Sequence, residues 1–258
     1  MNTPKPLITN QVRLEHKIKY ALIDLNLQLN LEFASGMRNA CQVALDIMLE
    51  FRCRCTCEYK PSQFIARAWN HIVMLAIQLV GSVLSVNVAL PRTVTWNERK
   101  VETGIFKRPV VDRVTVRDLG LEGDGQADLT VHGGVRKAVY AYPSEHYSYW
   151  QYELKRDLPW GMFGENLTTV GLLEDSVRIG DRFRVGSAEL EVTQPRFPCY
   201  KLGIKFGSME MVQRFQNSGR SGFYLAVRSE GEIAAGDPIT LTSPGNGYTI
   251  SETFRSEE

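Results

Sequence analysis

The stretch Gln194-Pro195-Arg196-Phe197-Pro198-Cys199-Tyr200-Lys201 sets one cysteine among two prolines and two cations. Pro195 and Pro198 fix φ on either side of Arg196 and Phe197, so the sulfur belongs on a stiff loop. Cations nearby favour thiolate over thiol, and the thiolate is the form that attacks or ligates a metal. Arg196 and Lys201 are placed to do this. The competing reading is an inert, buried thiol, a common fate of lone cysteines. Local residue types leave both open.

Two further clusters carry polar groups on glycine-rich turns. The first is Leu121-Glu122-Gly123-Asp124-Gly125-Gln126-Ala127-Asp128, followed by His132-Gly133-Gly134. Glycines there let backbone N–H groups approach an anion or a cofactor, although Gly and Asp are equally common in ordinary turns. His132 taken alone is more often a hydrogen-bonded structural residue than a ligand. The second cluster is Gly161-Met162-Phe163-Gly164-Glu165-Asn166-Leu167-Thr168. Glu165 and Asn166 either orient a ligand or cap the loop by bonding its backbone.

Several chemistries are missing from the chain. No Gly-rich dinucleotide fingerprint, phosphate-loop lysine motif or His-Glu-x-x-His pair is present. Cys53, Cys55 and Cys57 alternate, whereas paired zinc cysteines are separated by two or more residues. A formal net charge of +1 gives no case for a nucleic-acid polymer or an electrostatic membrane anchor as partner. Five cysteines, an odd count without an apparent secretory signal, point to a reducing, cytoplasmic compartment. The apolar run from Ile72 to Leu90 is interrupted by Gln78, Gly81, Ser82, Ser85 and Asn87. It reads as a buried strand after an apolar linker or helix, not a membrane span.

The elements that must position these residues change character near residue 80. Before it the chain reads as mostly helical, with Leu14, Ile18, Leu22, Leu25 and Leu29 on one face. Leu25, Leu27, Leu29 and Leu31 also alternate in the manner of a strand. After Gly81 come short β-branched runs between glycines and prolines. Strands are expected at Val83–Val88, Val110–Arg117, Val177–Val185, Ala188–Thr193, Phe223–Val227 and Ile239–Thr242. Gly186-Ser187 should turn the fourth back on the third. One helix should start at Pro143 and carry Tyr147, Trp150 and Leu154 on a stripe. A second should start near Ser208, present Met209, Val212 and Phe215, and end before Gly219. Strands not separated by regular helices imply a mainly β barrel or sandwich with peripheral helices.

Taken in order, Gly-Asp-Gly-Gln-x-Asp, His-Gly-Gly, Gly-Glu-Asn-Leu-Thr and Pro-Arg-x-Pro-Cys-x-Lys-Leu resemble the MOSC family, named for the C-terminus of molybdenum-cofactor sulfurases. The likeness is to the stand-alone branch similar to bacterial proteins that protect against 6-N-hydroxylaminopurine, and it covers roughly residues 80–243. It implies a MOSC-type β-barrel-like domain that binds molybdenum cofactor (molybdopterin), with Cys199 as the catalytic residue and molybdenum ligand. A soft thiolate suits a metal already held by sulfur. The pterin phosphate would then be held by Arg196, Lys201 and the His132-Gly133-Gly134 loop, with Asp124, Gln126, Glu165 and Asn166 as further cofactor-binding candidates. The stretch before Val83 is too short for the pyridoxal-phosphate lyase domain of a full sulfurase.

Residues 1–79 fall outside the likeness and are read as a helical extension or an over-extended start; residues 244–258 are expected to be a loose polar tail. Three functions compete. In the first, the loaded protein is an oxidoreductase that reduces a small N-hydroxylated base or related N–O compound, fed by a separate electron-donor protein. In the second, Cys199 carries sulfur as a persulfide. In the third, the domain binds the cofactor without turnover. A homodimer is left open.

Overall fold

The apolar and small polar residues that alternate from Gly81 onward form strand β1 (Leu79–Val88) in a computed structural model of the chain. The structure describes residues 79–127 and 133–257. The helical extension, the stripe from Leu14 to Leu29, the cysteines Cys41 to Cys57, and His132 therefore lie outside the described residues. Strand β1 does not alternate strictly. A bulge between Val83 and Ser85 shifts its phase, so Val83 and Val86 both face the core while Leu84 stays exposed.

Seven strands close into a barrel, confirming the mainly β expectation. Around it run β1, β8 (Leu167–Val170), β7 (Val139–Pro143), β11 (Phe223–Ser229), β10 (Ala188–Pro195), β9 (Arg182–Val185) and β13 (Pro238–Ser243). The seam is the pairing of β13 with β1, with Gly81 opposite Ile239 and Ser82 opposite Pro238. Neighbours are antiparallel except β7 and β8. In β10 the alternation is clean: Ala188, Leu190 and Val192 are buried, while Glu189 and Glu191 are part-exposed. Closure removes the unpaired edges that an open sheet would present. Short β4 (Arg108–Val110) adds to β1, and a hairpin of β2 (Arg92–Trp96) and β3 (Arg99–Thr103) stands apart from the barrel. A small sheet joins β12 (Gly231–Ile233), β5 (Val114–Arg117) and β6 (Gly120–Leu121).

Among the described residues four α-helices lie around this frame: α1 (Glu145–Leu154), α2 (Tyr200–Phe206), α3 (Glu210–Ser218) and α4 (Ile250–Ser256). Outside the barrel interior, α1 and α3 close over an aromatic cluster. Tyr142 stacks on Phe163 at 4.5 Å, and Trp150 lies nearly parallel to Phe215 at 6.1 Å. Such pairs add about 0.5–1.5 kcal/mol each beyond the area they bury. This layer supports the loop that follows α1 and the helix that follows Cys199.

Several expectations need correction. Val110–Arg117 is two strands in different sheets, because the chain bends through exposed Val111 and Asp112, and Arg113 binds Asp237. The strand expected from Val177 begins only at Arg182, after a turn in which Asp181 accepts the Arg178 N–H. Pro143 ends β7 instead of opening a helix; α1 starts at Glu145 and buries Tyr147 and Trp150 as expected. The buried face of α3 is Met211 and Phe215, whereas Met209 is exposed. The tail is not loose throughout: Thr249 and Glu252 form a reciprocal capping box, and α4 buries Ile250 and Phe254. The apolar run is strand from Leu79, and no helix among the described residues is long and apolar enough to cross a membrane.

Candidate functional site

Strand β10 delivers Gln194 and Pro195 to the barrel rim, where the chain leaves the sheet and passes through Arg196 to Cys199. The Arg196 N–H still bonds to the Gly222 carbonyl at 3.3 Å, holding the start of this loop against β11. Gly222 has φ of 60°, and a Cβ there would come within 2.5 Å of the Ala141 carbonyl oxygen, so the approach requires glycine. Cys199 then adopts an extended backbone and caps α2, its carbonyl accepting the Leu202 N–H at 2.9 Å. With Leu202 and Ile204 buried, α2 is anchored and the half-buried thiol is held at its start.

The Arg196 side chain turns inward and is 5% exposed. Its guanidinium lies 5.2 Å from the Tyr140 ring centroid and 5.0 Å from that of Phe215, two contacts that fix its plane. Its Nη1 is buried and has no hydrogen-bond partner among the described residues. Guanidinium does not deprotonate in proteins, so this is a permanent cation with an unanswered donor. Arg196, Cys199 and Lys201 all line one cleft, together with Lys107, Lys137, Asp124, Asn166, Tyr140 and Tyr224. Among the described residues of that lining Asp124 is the single carboxylate, against four cations. With Lys107 paired to Asp124, the balance of charge in the cleft is still positive, which suits it to an anion.

The opposite wall is a buried polar frame. Asp124 pairs with Lys107, accepts the Ala89 N–H at 2.9 Å and the Asn166 Nδ2 at 2.9 Å. Asn166 Oδ1 accepts the Tyr140 N–H at 3.1 Å, tying the loop before β8 to β7. Burial lowers the Lys107 pKa, and the adjacent Asp124 works against that shift. Glu165 faces away from the cleft. It is fully buried and accepts from Tyr147 Oη, the Gly161 N–H at 2.8 Å, the Phe163 N–H at 3.0 Å and Thr168 Oγ1 at 3.0 Å. Burial pushes its carboxyl above the usual carboxylate range, while these donors pull the other way. Of the two readings of Glu165, capping the loop is the one seen.

The remaining candidates divide in the same way. Gln126 lines the cleft, but its amide clamps two loops. Nε2 donates to the Leu119 carbonyl at 2.9 Å, and Oε1 accepts the Gly134 N–H at 2.8 Å. A Cβ on Gly133 would sit 2.1 Å from that same Oε1, so Gly133 and Gly134 serve the clamp and do not line the cleft. Lys107, Lys137, Tyr140 and Tyr224 were not among the residues the sequence singled out. The only signal available for them was position: each lies in or beside a strand or turn that ends at the barrel rim.

With this geometry in place, comparison with known proteins adds the following. Residues 128–240 match the MOSC domain family. An uncharacterized protein of Bacillus subtilis (strain 168), YflK, is 49% identical over 164 residues, which are 64% of this chain and 74% of that protein. The crystal structure of YiiM from Geobacillus stearothermophilus superposes with a TM-score of 0.58 at 37% identity, covering 69% of this chain and 83% of that one. A protein of Gibberella moniliformis (strain M3125 / FGSC 7600) named as a reductase is 35% identical over 146 residues, 55% of this chain and 26% of its own length.

Proposed function

Because the chain belongs to the MOSC domain family, which is associated with molybdenum cofactor, we propose that the cleft binds that cofactor, that Cys199 ligates its molybdenum, and that the loaded protein reduces N-hydroxylated bases or related N–O compounds. The observation that carries this reading is the buried, unpartnered Arg196 Nη1 in the wall of a cleft that also holds Cys199. A buried donor left unsatisfied costs about 1–3 kcal/mol, and more on a charged group. A phosphate placed against it answers the orphan donor with a charge-assisted hydrogen bond. Lys137 and Lys201 offer further cationic contacts along the same lining. The donor set therefore fits an anionic pterin, and a cysteine thiolate is the protein ligand that suits a metal held by sulfur.

When bound, the cofactor supplies the two-electron redox chemistry, and the protein supplies binding and orientation. Arg196, clamped between Tyr140 and Phe215, fixes where an anion sits. The Lys107–Asp124–Asn166 frame keeps the facing wall in shape. The net reaction takes an N-hydroxylamine, two electrons and two protons to an amine and water: the N–O bond breaks and the oxygen leaves as water. The electrons come from a separate electron-donor protein. The reductase name of the fungal relative supports the direction of this chemistry, although it belongs to a protein of which this chain matches 26%.

The test is the molybdenum and pterin content of the full chain, purified from cells that make the cofactor, beside Cys199→Ala. Molybdenum and oxidised pterin near stoichiometry in the wild type, with molybdenum lost from the variant, are the expected result. No molybdenum in either protein overturns the reading and turns attention to cyanide-releasable sulfur on Cys199.

A further inference from the structure

Beside the cleft the cations continue. Phe106 sits between Ile105 and Lys107, which both line the cleft, and its ring carries two cations: the Arg92 guanidinium 4.0 Å from the centroid and the Lys205 ammonium at 5.2 Å. Arg108 is exposed and follows directly on Lys107. None of Arg92, Arg108 and Lys205 pairs with a carboxylate among the described residues. The buried carboxylate closest in influence, Glu165, already accepts four donors of its own. Along α2, Lys201 and Lys205 are spaced i and i+4, on one helix face where like charges repel. The row therefore runs from Arg196 through Lys201 to Lys205 and on to Arg92 and Arg108, and it is unfavourable until an anion lies along it.

We propose that Arg92, Arg108 and Lys205, with Phe106 holding two of them in place, form a phosphate subsite continuous with the cleft, so that the ligand taken there is a nucleotide and not a free base. This deepens the reading of the cleft given above and rests on it for the identity of the substrate. One helical turn separates Lys201 from Lys205, a rise of about 6 Å, which sets the new subsite apart from the one at Arg196. The phosphate has two sources: a nucleotide substrate, or a nucleotide tail on the cofactor itself.

The experiment measures equilibrium binding of 5′-AMP and of adenosine to the full chain, with Cys199→Ala as a background that lacks the proposed metal ligand. AMP is expected to bind at least about tenfold tighter than adenosine in both proteins, a charge-assisted contact being worth that much. In Arg92→Gln/Lys205→Gln the preference should fall to about threefold or less, and Lys205→Arg should restore it in the Arg92 wild-type background. An unchanged thermal midpoint shows that the variants are folded. Equal binding of AMP and adenosine in the wild type, or a preference that survives in the double variant, overturns the subsite. Because Cys199→Ala keeps the preference if the subsite is real, failure here is separable from failure of molybdenum binding. Loss of the AMP preference on cofactor loading, with nucleotide released on denaturation, assigns the subsite to the cofactor tail. A preference retained after loading assigns it to the substrate. Either upholds the subsite.

Discussion

The rings of Phe197 and Phe254 stack 4.9 Å apart and 9° from parallel, fastening the C-terminal helix to the loop that presents Cys199. Phe254 is 1% exposed and sits on α4, whose first turn is closed by the Thr249–Glu252 capping box. The loop that carries the thiol is therefore steadied from both sides: by α2, which the Cys199 backbone caps, and by a helix about fifty residues further along the chain.

Phe254→Ala is expected to destabilise the fold by about 3–5 kcal/mol, the range for truncating a buried aromatic. It should also speed alkylation of Cys199 in the folded protein. Urea unfolding reads the first effect, and peptide mapping after a brief alkylation reads the second. A variant whose Cys199 reacts at the wild-type rate would show that the stack does not hold the loop.

Cys199→Ser should abolish reduction while leaving the fold intact. The Cys199 side chain makes no capping bond to α2, and serine is a good N-cap, so stability should stay level or rise by up to about 1 kcal/mol. Full activity in the serine variant would remove Cys199 from the chemistry.

Glu165→Gln probes the buried frame. In the folded protein burial raises the carboxyl pKa above its ordinary value, so between the two values the native state holds the proton more tightly than the unfolded chain. Stability from this group is present below the unfolded pKa and declines as pH rises toward the folded one. Glutamine should remove that slope. It should also cost about 1–3 kcal/mol, because its NH₂ group must face the donors that the carboxylate now accepts.

Lys205 gives a pH signature for anion binding. Burial pulls its pKa down to about 8, aided by Arg92, Arg108 and Lys107 and opposed by Glu165. Affinity for AMP should be full between about pH 7 and 8, where the phosphate is dianionic, and weaken as pH rises through about 8, because the ammonium is lost. Lys205→Arg should flatten this profile, since guanidinium keeps its charge. A wild-type profile that is flat from pH 7 to 9 would show that Lys205 does not face the phosphate.

The sequence was most legible where one physical rule acted alone. Period-two alternation marked β10 because one face of that strand packs on the barrel core, and the two prolines marked the stiff loop before Cys199. It was least legible where packing overrode local preference. Pro143 looks like a helix start, yet its neighbours Tyr142 and Ala141 are buried in β7, and the helix begins two residues later. Val110–Arg117 is rich in β-branched residues, yet the chain must bend at Asp112 and Arg113 so that β4 reaches β1 and β5 reaches β12. The polar tail hides a helix because only Ile250 and Phe254 need to be buried. In the site, Arg196, Cys199 and Lys201 could be read from one segment. Lys107 and Tyr140 could not, since the fold brings them in from the loop before β4 and from β7, far from that segment in the chain.

Closure of the barrel also sets the order in which the protein can be made. Strand β1 opens the barrel and must find β13, whose first residue lies more than 150 positions later. A ribosome delivering the chain must have released β13 before the seam can join, so the wall around Cys199 cannot mature until that strand has emerged. Such distant pairing makes folding slow and leaves a long interval in which unjoined strand edges are open to chaperones or to one another.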